Sequence, residues 1–370
     1  MNRRRVTVVA AAVGVVAGAA GLGVLAMPAG AGPAPVLPDV SAESLVESVL
    51  TARPAAFGGS VEVANDLGVP ALADVPQLAD GESKLRMWSD GEGRVRVQLP
   101  AADAERTFVD DGETGWLWNS ADQTVTKLPH GASAEPKLDL DPDGEQVPPD
   151  PVAVSREVVA KVKEFSDVAV DGTARVAGRA TYELVLTPKP TERTVLREVR
   201  VAVDAELRVP LRVAVLTNGT NNPAVRVGFT ELNVGPQDAT LFAFTPPPGA
   251  KVAEQQPTGP TDEDRALAEG ALAEARPQVH GEGWDVVITA RTPENALAGL
   301  AERERPGTPA EDEVDVAGLL ARVGKPVSGP WGSGTLITTR IGGVLLADDG
   351  RVAFGAVPEQ VLTEAIAQVK

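Results

Sequence analysis

The sequence predicts a mainly β protein: a large antiparallel sheet, curved or closed, with one buried face, followed by a small α+β module. Three observations carry this expectation. Apolar residues alternate with polar ones at a period of two through much of residues 60–245. Gly, Asp and Asn interrupt the alternation at turn spacing. After a Pro/Gln-rich stretch near Gln255–Thr261, the apolar period lengthens to that of helices.

The elements follow in chain order. Arg3, Arg4 and Arg5 precede an apolar run from Val6 to Met27, Pro28 ends it, and Ala29-Gly30-Ala31 is a small-x-small cleavage site. Residues 1–31 therefore read as a signal peptide, and the exported chain is extracytoplasmic. The run is close to the ~20 residues of a membrane span, so an uncleaved anchor with the Arg side in the cytoplasm is the alternative. No Cys follows it, which excludes a lipid-modified N-terminus. Residues 32–40 form a Pro-rich spacer. Ser41 then caps a short amphipathic helix whose stripe is Leu45, Val46, Val49 and Leu50.

From Ser60 to Thr245 the pattern is that of about ten or eleven strands. Val95, Val97 and Leu99 alternate with Arg94, Arg96 and Gln98. Trp116 and Trp118 share a face, as do Tyr182, Leu184 and Leu186. Val199, Val201 and Val203 alternate with Glu198, Arg200 and Asp204, and the series continues through Val209–Val215, Val225–Phe229 and finally Phe242 and Phe244. One helix interrupts them, with Pro151 in its first turn and Val154, Val158 and Val162 at i, i+4, i+8. The second module, residues 262–370, reads as helices over 264–275, 294–303 and 316–323, strands over 335–340 and 343–347, and a last helix over 358–369.

Composition narrows function. The chain has 370 residues, no Cys and a net charge of −18. Disulfides, thiolate nucleophiles and thiolate metal sites are absent, and the acidic surface repels nucleic acid and anionic head groups. It does not oppose an acyl chain, whose binding energy comes from apolar burial. His130 and His280 both lie in Gly/Pro-rich loops, and no HExxH, GxSxG or Walker loop occurs. Gly332-Ser333-Gly334 is expected to be a flexible turn ahead of a strand, without the helix N-terminus that holds a phosphate. No enzyme is indicated and no organic cofactor.

One metal pattern stands out. Asp139, Asp141, Asp143, Gly144 and Glu145 match the first seven positions of a calcium loop, and Asp150 falls at position twelve. Such a site would be weak, at about 10⁻⁴–10⁻³ M. Position twelve is Asp rather than a bidentate Glu, and Asp150 before Pro151 reads equally well as a helix cap, so an acidic surface loop is the competing interpretation.

Residues 84–88 (Lys-Leu-Arg-Met-Trp), Arg94–Val97, Asp110-Asp111-Gly112 with Trp116-Leu117-Trp118-Asn119, and Thr124–Pro129 resemble the strand and hairpin motifs of the LolA superfamily. Leu241–Pro247 is similar to that family's closing segment. The resemblance covers roughly residues 41–252, and the domain it implies spans residues 41–254. It implies an unclosed antiparallel β-barrel of about eleven strands with helices as a lid over an apolar cavity. Candidate cavity residues are Leu85, Met87, Val95, Val97, Leu99 and Phe108 in the first half. Trp116, Trp118, Val199, Val201 and Val203 join them further along. The resemblance implies either a carrier that shields a lipid or lipoprotein acyl chain, or a sensor of the RseB type with a membrane protein partner, regulating an anti-sigma factor. The second module resembles the tail of actinobacterial members, and no gating residue carries over.

Overall fold

In the computed structural model, the described residues are 34–53, 55–68, 80–100, 104–129, 160–254, 270, 273–292 and 323–369. The export segment, His130 and the calcium-type loop Asp139–Asp150 lie outside them. So do most of the helix after Pro151 and nearly all of the three helices expected between 264 and 323.

Helix α1 spans Ala42–Leu50, and Ser41 caps it by accepting from the Ser44 N–H. Six strands follow as an antiparallel meander: β1 (Phe57–Asn65), β2 (Gly81–Ser89), β3 (Val95–Pro100), β4 (Glu105–Asp110), β5 (Thr114–Asn119) and β6 (Thr124–Pro129). Residues 160–165 are helical and run straight into a second meander. It comprises β7 (Ser166–Val176), β8 (Arg179–Pro188), β9 (Leu196–Asp204), β10 (Pro210–Thr217) and β11 (Val225–Val234). The two meanders join where β1 pairs with β11, and β12 (Lys251–Glu254) adds to β6 in parallel. The result is a twelve-stranded sheet ordered β12-β6-β5-β4-β3-β2-β1-β11-β10-β9-β8-β7. Its two edge strands, β12 and β7, do not pair, so the sheet is open rather than a closed barrel. Eleven of its strands fall in the region where period-two alternation foretells them.

Two expectations for this body need correction. Phe242 and Phe244 are not in a strand: Ala239–Phe242 is a single 3₁₀ turn capped by Asp238, followed by extended chain. Three consecutive prolines after Thr245 have no N–H to give a ladder, so the pairing resumes only at Lys251. The sheet also has no single buried face. Thr107, Val109 and Val125 are fully buried on the side opposite Val97 and Phe108, beneath the segment that carries Phe242.

The second body holds six strands instead of two. β13 (Gln278–His280), β14 (Val287–Arg291), β15 (Lys325–Gly329), β16 (Gly332–Thr339), β17 (Gly342–Ala347) and β18 (Arg351–Gly355) form one antiparallel sheet, ordered β13-β14-β18-β17-β16-β15. Helix α2 (Glu359–Ile366) packs Val361, Leu362, Ala365 and Ile366 on Val287, Leu336, Leu345 and Ala353. Gly332-Ser333-Gly334 is the start of β16, not a loop before it. A Cβ on Gly334 would lie 2.2 Å from the Leu346 carbonyl oxygen, so close strand packing accounts for that glycine.

The second sheet contacts one end of the first. The Val195 N–H (3.0 Å) and Thr194 Oγ1 (2.6 Å) both donate to the Ala356 carbonyl. Arg193 forms a two-pronged pair with Glu364 (2.6 and 3.0 Å), and Trp284 Nε1 donates to the buried Ser166 Oγ (2.7 Å). Across the same end, the Arg340 N–H donates to the Leu67 carbonyl (2.8 Å) and its guanidinium pairs with Asp66.

Candidate functional site

Residues directly opposite each other on paired strands point to the same side of a sheet. The register therefore gives the faces without ambiguity. Leu184, Val201, Val213, Val227 and Val63 lie in one row across β8, β9, β10, β11 and β1. Leu186, Val199, Val215 and Val225 form the next row on the same side. In the first meander, Met87, Val97, Phe108 and Leu117 continue that face over β2–β5, with Leu85 opposite Val61. One apolar face thus runs unbroken from β8 to β5.

Of the residues singled out from sequence, Leu85, Met87, Val95, Val97, Leu99, Phe108, Val199, Val201 and Val203 share this face. Trp116 and Trp118 do not. They pair with Val109 and Thr107, whose neighbours Phe108 and Leu117 hold the apolar side, so both indoles project to the opposite face. There Trp116 Nε1 donates to Asp111 Oδ2 (3.0 Å) and its ring lies 5.6 Å from that of Phe244. The residue that belongs on the face is Leu117. Val61, Val63, Val213 and Val227 were also missing from the candidates, although each follows the same alternation.

Cover over this face is uneven. Helix α1 seats Leu45, fully buried, on Tyr182, Leu184 and Val203, with Leu37 and Val40 beside it. The helical residues 160–165 lie alongside, tied to α1 by a Lys163–Glu43 ion pair. Past β9 the face opens: Val213 is 37%, Val227 38%, Leu99 36% and Leu117 43% exposed. Val213 and Val227 are neighbours in one row, and apolar side chains left open side by side mark a candidate binding surface.

The reverse side of the middle strands is charged and self-paired. Arg212 meets Glu183 (2.7 Å), Arg226 meets Glu62 (2.8 Å), and Arg200 meets Glu198 (2.9 Å). These pairs hold Arg200 above its ordinary range, chiefly through the Glu198 hydrogen bond, and Glu198 below its own through Arg200. The polar side is thus saturated with its own partners, and the apolar side is the one with unspent binding capacity.

His280 Nε2 bonds Thr289 Oγ1 (2.8 Å) within the β13–β14 pair, a structural contact. No group of three or more His, Cys, Asp or Glu side chains is arranged to hold a metal among the described residues.

Residues 60–254, more than half of the chain, match the family described as Predicted periplasmic protein (DUF2092). The chain belongs to that family. Its periplasmic assignment agrees with the export expected from the sequence, and among the described residues no helix is long and apolar enough to cross a membrane. No curated protein matches the sequence. The DUF2092 chain is similar to several solved structures. One is Pseudomonas aeruginosa MucB in its complex with MucA, at 17% identity over 88% of this chain and 96% of that one, with a TM-score of 0.38. Another is a LolA superfamily protein from Nitrosomonas europaea, at 14% identity over 56% and 99%, with a TM-score of 0.23. A third is a putative outer membrane lipoprotein-sorting protein domain from Vibrio parahaemolyticus, at 10% identity over 54% and 95%, with a TM-score of 0.21.

Proposed function

We propose that this periplasmic protein is a binding protein, not an enzyme, and holds the acyl chain of a lipid or lipoprotein along the apolar face. The observation that carries the reading is the uncovered continuation of that face: the rows packed under α1 at Leu184 and Val201 run on through Val213, Val227, Val97 and Leu117 with no helix described above them. A guest burying methylenes there gains about 0.8 kcal/mol per CH₂, and a chain of about sixteen carbons gains enough to outweigh its ordering cost. Leu85, Met87, Val95, Leu99 and Phe108 would take the tail in the first meander, Val199, Val201 and Val203 in the second.

The test is titration of a fluorescent fatty-acid analogue, with organic extraction of protein purified from its native host. Wild type should bind the analogue or release lipid. Val213→Asp and Val227→Asp, both at positions more than a third exposed, should lose binding and keep the wild-type unfolding midpoint. A wild-type protein that neither binds nor releases lipid, and that instead crosslinks to a membrane protein in native envelopes, would contradict this reading. That result would favour the regulator of an anti-sigma factor that the sequence resemblance also implies.

A further inference from the structure

The hairpin joining β9 to β10 carries an arginine where its geometry favours glycine. Asp204 Oδ1 accepts from the backbone N–H groups of Glu206 (2.9 Å) and Leu207 (2.8 Å), and the Arg208 N–H closes the loop onto the Asp204 carbonyl (3.1 Å). This is a type I turn followed by a left-handed residue, and Arg208 holds the left-handed position at φ +59°. A side chain there crowds the backbone, which is why Gly or Asn ordinarily fills it.

The same residue carries a second penalty. Its guanidinium carbon stands 5.3 Å from the centre of the Tyr182 ring, and its Nη1 is buried without a hydrogen-bond partner. A buried charged donor with no acceptor keeps its desolvation cost, and stacking on an aromatic ring recovers only part of it. The carboxylates of the hairpin are already engaged. Asp204 is paired with Arg179, and Glu206 accepts from Arg179 Nη2 (2.9 Å). Left-handed backbone also occurs at Gln123, Ala177 and Arg276, and it is the unmet donor beside it that makes Arg208 a candidate for function.

Its position says which function. Tyr182 lies on the apolar face, opposite Val203 and adjoining Leu184, and its hydroxyl donates to the Pro38 carbonyl (3.0 Å) in the segment that leads into α1. Arg208 is thus a half-buried cation at the covered end of a mainly apolar face, a local exception to the acidic surface that repels anionic head groups elsewhere. We infer that Arg208 anchors the anionic head of an amphiphile whose tail lies along that face. The inference rests on the acyl-chain reading and narrows it to ligands ending in an oxyanion, since the planar guanidinium matches carboxylate and phosphate oxygens and has nothing equivalent to offer a neutral head.

Competition against a fluorescent acyl probe tests it, with palmitate, hexadecyl phosphate and hexadecanol as competitors. Wild type should bind at least one of the two anions about tenfold more tightly than the alcohol, a gap expected of one charge-assisted contact. Which anion leads tells a fatty acid from a phosphate head. Arg208→Gln should bring the anions down to the alcohol and leave the alcohol unchanged, and Arg208→Lys should keep part of the preference. Arg208→Gly should also erase the preference while raising the unfolding midpoint, which separates lost recognition from lost folding. Equal binding of anions and alcohol by wild type, or a preference that survives in Arg208→Gly, overturns the inference and leaves the acyl site standing. No binding of any competitor or probe overturns both.

Discussion

The two meanders of the large sheet carry their covering segments on opposite sides. In β7–β11 the side that carries Tyr182, Leu184 and Val203 is packed under α1, while the reverse side is lined by Glu183–Arg212 and Glu198–Arg200 pairs. In β1–β6 the reverse side carries buried Thr107, Val109 and Val125 and the segment Leu241–Phe244, which reaches Arg94, Arg96 and Trp116, and part of the side continuous with Leu184 is left open. Arg94 stacks on Phe242 and Arg96 donates to the Leu241 carbonyl (3.2 Å), which pins the covering segment to β3. The covering segment therefore changes sides across one sheet, and in the first meander part of the apolar side is left open.

Substitutions can break this comparison half by half, beginning with the largest effect. Phe242→Ala should cost about 4 kcal/mol, because the ring is almost wholly buried and its loss unroofs the reverse side of the first meander. Denaturant unfolding measures it, and a loss under about 1 kcal/mol would show that the covering segment does not hold this half together.

Asp204→Ala should cost about 3 kcal/mol by stranding Arg179 and freeing the β9–β10 turn. Burial pushes the Asp204 carboxyl up, but the Arg179 guanidinium and the Leu207 and Glu206 N–H groups outweigh it and hold the acid below its ordinary range. A folded value below the unfolded one stabilises above the unfolded value, about 3.9, and that stability is lost as pH falls through the folded value. Wild type should accordingly lose stability below about pH 4, with a shallower loss in Asp204→Asn. Parallel pH profiles of the two would contradict the pairing.

The smallest change in stability should come from Leu117→Ser. That side chain is open to solvent on the apolar side, so its replacement should shift stability by no more than about 0.5 kcal/mol while weakening acyl binding. A large loss of stability would mean that the open side is packed after all.

The sequence made the rows legible but not the side each row takes. Alternation within β9 identifies Val199, Val201 and Val203 because Glu198, Arg200 and Asp204 stand between them. In β5 the run Trp116-Leu117-Trp118 is apolar at every position, so the period is silent. The register Phe108↔Leu117 decides the face instead, and it turns on how the Asp111–Glu113 turn closes. The second body was harder to read for a related reason. Edge strands such as Lys325-Pro326-Val327-Ser328-Gly329 bury little and carry a proline, so neither alternation nor β-propensity marks them. Arg208 left no signal at all, since an arginine in a turn reads as solvated until its φ and its unmet donor are known.

On the proposed reading, the ligand lies on the side shared by Val213, Val227, Val97 and Leu117. Photo-crosslinking with a diazirine-bearing fatty acid of about sixteen carbons, read by peptide mass spectrometry, tests it most directly. Labels should map to β2, β3, β10 and β11 at Met87, Val97, Val213 and Val227, and to Leu117 on β5. Labelling concentrated at Trp116 and Trp118 on the reverse side, or none above that of the denatured protein, would contradict it.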